Sequence, residues 1–399
     1  MKCGFGLLTV FCLAVFGGFA QKLANATPED AITRLLSSGA AQASWFDSSF
    51  LAQVPLTQIQ QVVDQYTVAN GKFQRVESTG DGYVVYLERA KFPARAAVNA
   101  QGQFVMLWFG NPEPLQAAPL DESVKAFANL AGKVTVLVTE EGKPRASLNP
   151  EQALAVGSAF KLAVLSALNA EIGAGKHRWD EVVRLDPAWK SLPSGVIRMW
   201  PDGTPMTLAT LANEMISISD NTAADALLAV AGRENVEAVA SRNQPFLSTR
   251  EAFILKDPVN GVLLAGWRAA DAAGRRAMLP EVDKLPLPDA GIFADGAPVA
   301  TDVEWFFTPG ELCGLIEGVR DLGAMQINPG LATKKEWAQV AYKGGSEPGV
   351  LNFTTALTAK NGRHYCVAAT WNAGGVLDEN RFAGLYTGVL RSLAAEAAK

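Results

Sequence analysis

Strand-like segments stand at both ends of the stretch 121–399 with a helical middle between them, and this arrangement restricts the fold more than any other feature. Near its start lies Val134-Thr135-Val136-Leu137-Val138, a β-branched run turned back at Glu141-Gly142-Lys143-Pro144. Near its end lie Asn352 to Leu357 and Tyr365 to Thr370, followed by a helical pattern from about Asp378 to Ala397. Strands so far apart in sequence form one sheet only if the chain's two extremities meet. The expected architecture is therefore an α/β domain whose antiparallel sheet is built from both ends of the segment, with an all-helical subdomain inserted between.

A different pattern precedes it. Thr27-Pro28-Glu29-Asp30 supplies an N-cap, a proline at the first helical position and acids in the first turn, so a helix through Leu36 follows. A second helix runs from about Thr57, with Ile59, Val62 and Val63 on one face, and stops at Asn70-Gly71. Tyr83 to Leu87, Ala94 to Val98 and Phe104 to Phe109 then read as strands. Residues 27–110 are expected to be a small α+β domain, 111–120 a proline-rich linker, and 121–399 a second domain. The first domain contains no histidine and no clustered carboxylates, so no chemistry is assigned to it.

Upstream, Lys2 precedes an apolar stretch from Cys3 to Ala20, and Ala24-Asn25-Ala26 offers a small-x-small cleavage site. Residues 1–26 are read as a signal peptide, giving an exported protein, periplasmic or extracellular, with no stable membrane anchor after cleavage. Cleavage removes Lys2 and Lys22 and no acid, so 35 basic residues become 33 against 40 acidic, a charge of −7. With no basic run, nucleic acid is not an expected partner. Cys313 and Cys366 remain in the mature chain. An oxidising compartment permits a bond between them, but nothing in the sequence brings them together, and buried free thiols are expected. His177 and His364 lack the ligand spacing of a metal site, and no cofactor is expected.

Three motifs carry chemistry. Ser158-Ala159-Phe160-Lys161 opens an apolar helix, where a three-residue spacing sets hydroxyl and amine side by side. A serine needs a neighbouring base to become a nucleophile, and a lysine serves once burial or a second cation lowers its pKa. Ser219-Asp220-Asn221 lies between two helical stretches, where a short polar loop can project a hydroxyl and an amide into a cleft. Lys343-Gly344-Gly345-Ser346 precedes the strand beginning near Asn352; it reads either as a turn or as paired glycines that let another backbone approach closely.

The order S-x-x-K, S-D-N, K-x-G resembles the penicillin-recognising enzymes, nearest to class A β-lactamases, from about Asp121 to the C-terminus. The resemblance implies a β-lactamase/transpeptidase-like fold and hydrolysis of β-lactams through an acyl-enzyme on Ser158. Lys161 would be its general base and Ser219 a proton relay. Asn221 would bind the substrate's side-chain amide and Lys161, and Lys343 the substrate carboxylate. Gly345 would let the strand close on the site, with the backbone N–H groups of Ser158 and Ser346 forming the oxyanion hole. The partner would be a small molecule, a β-lactam or an acyl ester, and the protein a monomer or weak oligomer. An esterase or D,D-peptidase, or a non-catalytic binder of β-lactam or peptidoglycan fragments, would use the same residues. The first domain is similar to the steroid-isomerase-like domain that precedes a β-lactamase-like domain in some exported proteins.

The sequence departs from the family pattern twice. Gly344 stands where the family carries Thr or Ser, removing a hydroxyl from the carboxylate site. The E-x-x-L-N text that holds the water-activating glutamate is absent; Glu251 is the first candidate for that role and Glu304 the second, with extra residues before the helix start at Thr308-Pro309.

Overall fold

In a computed structural model, residues 27–294 and 296–398 are described. The segment assigned to a signal peptide lies outside them. Contacts divide the chain between Ala117 and Ala118, inside the proline-rich stretch.

The first unit starts with α1 (Pro28–Ser37), whose N-cap Thr27 exchanges hydrogen bonds with Asp30 in a capping box. A second long helix, α2 (Leu56–Asn70), ends at Gly71, whose φ of +88° suits glycine. Strands β1 (Phe73–Thr79), β2 (Gly82–Leu87), β3 (Ala90–Val98) and β4 (Phe104–Phe109) pair in sequence order, all antiparallel. Ile32 and Leu35 of α1 share a core with Val85, Phe92 and Phe104 of the sheet. The proline-rich stretch carries a short piece of sheet structure: Glu113 and Pro114 pair with Lys91 and Ala90. They do so at the end of a ladder, where a proline's missing N–H matters least.

The second unit begins with α3 (Leu120–Lys125) and forms a five-stranded sheet from both its ends. Strands β5 (Lys133–Glu140) and β6 (Lys143–Leu148) come from its start. Strands β7 (Gln339–Glu347), β8 (Val350–Thr358) and β9 (His364–Asn372) come from its end. The order is β7-β8-β9-β5-β6, antiparallel throughout. Strand β9 shows why its sequence is apolar without a break. Tyr365, Val367, Ala369 and Trp371 face a core shared with the terminal helix (Glu379–Ala397), and Cys366 and Ala368 face the opposite core. Between the strands lie α4 (Lys161–Gly173), α5 (Leu208–Ser217), α6 (Asn221–Ala231), α7 (Thr249–Lys256) and α8 (Pro309–Val319).

Two expectations need correction here. Lys343 to Ser346 do precede the strand that contains Asn352, but they are not a turn: they lie inside β7, the sheet's edge strand. The adjacent glycines look like a turn in sequence, yet they are thin points in a continuous ladder. Cys313 and Cys366 are not free thiols: they form a disulfide joining α8 to β9. Helix α8 packs on the sheet and brings their Cα atoms to 5.8 Å, within bridging range.

Candidate active site

The turn that delivers Ser158 is forced by its surroundings. Residues Gly157–Phe160 form a 3-10 turn leading into α4, and Gly157 has a φ of +50°. A β-carbon there would stand 3.1 Å from the Ser346 backbone nitrogen. Opposite it, a β-carbon on Gly345 would overlap the Val156 carbonyl oxygen and lie 2.6 Å from the backbone nitrogens of Ser158 and Ala159. The two glycines let β7 and the Ser158 turn meet backbone to backbone. Ser158 and Ser346 are thereby brought to the wall of one cavity.

Lys161, one 3-10 turn further on, is fully buried. Its Nζ lies 3.1 Å from Ser158 Oγ, 3.0 Å from Ser219 Oγ, 2.6 Å from Asn221 Oδ1 and 2.5 Å from the Ser219 carbonyl oxygen. Burial holds its pKa well below the usual lysine range, and the nearby Lys343 charge adds to the effect; Asp225 and Asp220 oppose it. Burial and the second cation both favour the uncharged amine, the form whose lone pair could accept a proton from Ser158.

Ser219 sits between α5 and α6 with φ +62°, a left-handed conformation that costs a serine about 1–3 kcal/mol. Asp220 fixes it there. It caps α6 by accepting from Ala223 N at 2.9 Å, and it also accepts from Val196 N at 2.6 Å and Ile197 N at 2.9 Å. Ser219 Oγ consequently lies 3.0 Å from Lys161 Nζ and 3.0 Å from Lys343 Nζ. Lys343 is buried, and burial pushes its pKa down to about 7. Asn221 is engaged at both ends, since its Nδ2 donates to the Leu192 carbonyl at 3.1 Å while Oδ1 faces Lys161. Ser158, Ser219, Asn221, Lys343, Gly345 and Ser346 all line one cavity of about 570 Å³.

Glu251 does not join them. It belongs to the start of α7, where it closes a capping box with Ser248. Its carboxylate accepts two bonds from Arg233, at 2.7 and 2.9 Å, and one from Ser248 N at 2.7 Å. It is buried, does not line the cavity and is held by three hydrogen bonds, so its assignment as water activator is withdrawn. Glu304 is also buried and pairs with Lys256, which pairs in turn with Glu347. Burial, and then the Glu347 charge, keep Glu304 well above the ordinary carboxyl range. Burial pushes Glu347 upward too, but Lys256 outweighs it and holds Glu347 below. Lys256 and Glu347 reach the cavity wall.

Sequence reading passed over Asp225. It lies four residues after Asn221 and so on the same face of α6. It accepts from Thr249 N at 2.7 Å, Thr249 Oγ1 at 2.9 Å and Arg250 N at 2.9 Å, tying α7 to α6, and burial pushes its pKa up to about 7. That spacing from Asn221 was a readable signal. Among the described residues no group of three or more His, Cys, Asp or Glu side chains could hold a metal ion, and no helix is long and apolar enough to cross a membrane.

With this geometry in place, comparison adds a family. Residues 119–260 match the β-lactamase enzyme family. The matched segment is β-lactamase-like and carries Ser158, Lys161, Ser219 and Asn221; Lys343 to Ser346 lie beyond it. Among solved structures, a β-lactamase from Sphaerobacter thermophilus is similar at 19% identity, over 71% of this chain and 98% of that one, with a TM-score of 0.49. A class A β-lactamase from Bacteroides cellulosilyticus is similar at 18% identity, over 70% and 99%, with a TM-score of 0.46. A protein described as PBP-A is similar at 14%, over 70% and 98%, with a TM-score of 0.47. No curated protein matches.

Proposed function

We propose that the second unit is an acyl-serine hydrolase of the class A β-lactamase type, opening β-lactam rings on Ser158. One observation carries the reading: Lys161 Nζ is within hydrogen-bond distance of both Ser158 Oγ and Ser219 Oγ, with Lys343 against the latter. In this mechanism the neutral Lys161 amine takes the Ser158 proton as Oγ adds to the substrate carbonyl. The developing oxyanion is held by the N–H groups of Ser158 and Ser346. As the carbonyl re-forms, the bond to the leaving nitrogen breaks, and Ser219 Oγ passes its proton to that nitrogen while accepting one from Lys161. Ser158 is left as an ester, Lys161 is neutral again, and the transferred proton resides on the amine. The charge of Lys343, adding to burial, disfavours protonation of Lys161 to the ammonium at rest.

Deacylation requires a water to attack that ester, and Glu251, locked to Arg233, supports no role in activating it. This favours a second reading, in which the same machinery serves an esterase or D,D-peptidase, or leaves a long-lived acyl-enzyme. Intact-mass measurement during exposure to a chromogenic cephalosporin tests both. Formation and decay of a Ser158 adduct with ring opening supports the hydrolase. A persistent adduct supports the slow-turnover reading, and no adduct above the Ser158→Ala background ends both. The disulfide between Cys313 and Cys366 suits an oxidising compartment and supports an exported location for the protein.

A further inference from the structure

Gly344 and Tyr342 are two residues apart on β7 and share one face of that edge strand. A β-carbon on Gly344 would collide with the Tyr342 hydroxyl and lie 3.0 Å from Cζ of the ring. The tyrosine hydroxyl therefore occupies the space that a side chain on Gly344 would take. The ring is held there. Gly330, at φ +59°, lies against it, and a β-carbon on Gly330 would come within 2.5 Å of the tyrosine Cγ. The loop presenting Gly330 is itself fixed, since Asn328 Oδ1 accepts from Gly330 N at 2.9 Å and Asn328 Nδ2 donates to the Ser217 carbonyl at 3.0 Å. On another side the ring tilts against Phe353, with centroids 6.3 Å apart.

Burial is the one influence on the hydroxyl, with no hydrogen bond to a described residue acting on it, and Tyr342 lines the same cavity as Ser158 and Lys343. Burial pushes its pKa up, so it stays a neutral donor at any physiological pH. The next residue, Lys343, donates to Ser219 Oγ and the Gly344 carbonyl, and in its protonated form, which a bound anion favours, it has a third N–H for a ligand. Glu347, further along the strand, is matched by Lys256 and does not cancel this local positive charge. Two donors lining one cavity, the Tyr342 hydroxyl and the Lys343 amine, suit an anion with two acceptor oxygens.

We infer that Tyr342 is a substrate-positioning residue, whose hydroxyl, with Lys343, holds a carboxylate of the acyl donor and replaces the side-chain hydroxyl that Gly344 lacks. Gly344, Tyr342 and Gly330 then form one set, each requiring the others. This deepens the hydrolase reading by naming how a carboxylate is read, and it is testable without turnover.

In a Ser158→Ala background, benzylpenicillin and its methyl ester are titrated calorimetrically against proteins with Tyr342 and with Tyr342→Phe. Loss of a hydrogen bond to a charged group predicts about ten- to a hundredfold weaker binding of the acid. Binding of the ester should be unchanged. Equal loss for both ligands, no loss for the acid, or no binding of the acid to the Tyr342 protein overturns the inference. A swap provides the rescue. Tyr342→Ala should lose the preference for the acid, and Tyr342→Ala/Gly344→Thr should regain it, because the threonine hydroxyl enters the vacated space. A folded double variant without that regain also counts against the inference. If the acid is preferred through Tyr342 but the wild-type protein forms no Ser158 adduct, the hydrolase reading fails and the carboxylate site stands.

Discussion

Replacing Glu251 by Gln separates a structural carboxylate from a catalytic one. In the folded protein its side chain is 1% exposed and makes a two-bond ion pair with Arg233, whose side chain is 25% exposed. Removing one partner of a buried pair costs about 3–5 kcal/mol. Arg233 keeps some solvent and a bond to the Phe246 carbonyl, and Gln can still accept from Ser248 N, so the lower end applies. The expected loss is about 3 kcal/mol of unfolding free energy. Guanidinium titration followed by tryptophan fluorescence measures this loss. The lifetime of the Ser158 adduct, followed by intact mass under conditions where the variant is folded, should match the parent's within about twofold. Parent-like stability together with a tenfold longer adduct lifetime would refute the assignment of Glu251 to the frame of α7, and would restore it as a water activator.

Three further outcomes are expected. The folded-state pKa of Lys343 is depressed to about 7 from 10.5, so between those values the unfolded chain binds more protons. Stability from this residue therefore rises with pH across that window, by up to about 1.4 kcal/mol per pH unit, and Lys343→Met should remove that slope from denaturation curves. Breaking the Cys313–Cys366 bond, which closes a separation of 53 residues, should cost about 4 kcal/mol. Denaturation of a Cys313→Ala/Cys366→Ala variant checks it, and an unchanged midpoint would count against a formed bond. Gly345→Ala would force β7 away from the Ser158 turn and misplace an oxyanion donor, lowering the acylation rate about a hundredfold or more in stopped-flow assays. A rate near wild type would show that this donor pair is not used.

Much of the layout was legible because local rules and long-range packing agree. Thr27-Pro28 and Thr308-Pro309 start helices as their capping chemistry dictates, and both are capping boxes in the structure. The runs at Val134 and Tyr365 became paired strands β5 and β9. Ser158 and Lys161 were readable because a three-residue spacing sets hydroxyl and amine side by side and two further motifs follow in order. Glu251 was misread although its own signal was present. Ser248-Thr249-Arg250-Glu251 is a capping-box sequence, which engages the carboxylate locally before any cleft can use it. What lay beyond sequence reading depends on packing between distant segments. The disulfide follows from α8 lying on the sheet. The strand character of Lys343 to Ser346 follows from ladder bonds to β8, which outweigh the turn preference of two glycines. Tyr342 was invisible because its importance lies in where a hydroxyl lands relative to a missing side chain.

Lys161 arrives early in the chain and Lys343 late, separated by the whole helical middle. Before β7 docks, the amine is hydrated and charged, and Ser158 is as inert as any surface alcohol. On the proposed mechanism its nucleophilicity is thus a product of completed folding, so a partly synthesised or unfolded chain carries a harmless serine. Reactivity with an acyl donor would then report on native molecules alone, and labelling of Ser158 could serve to count the correctly folded fraction of a preparation.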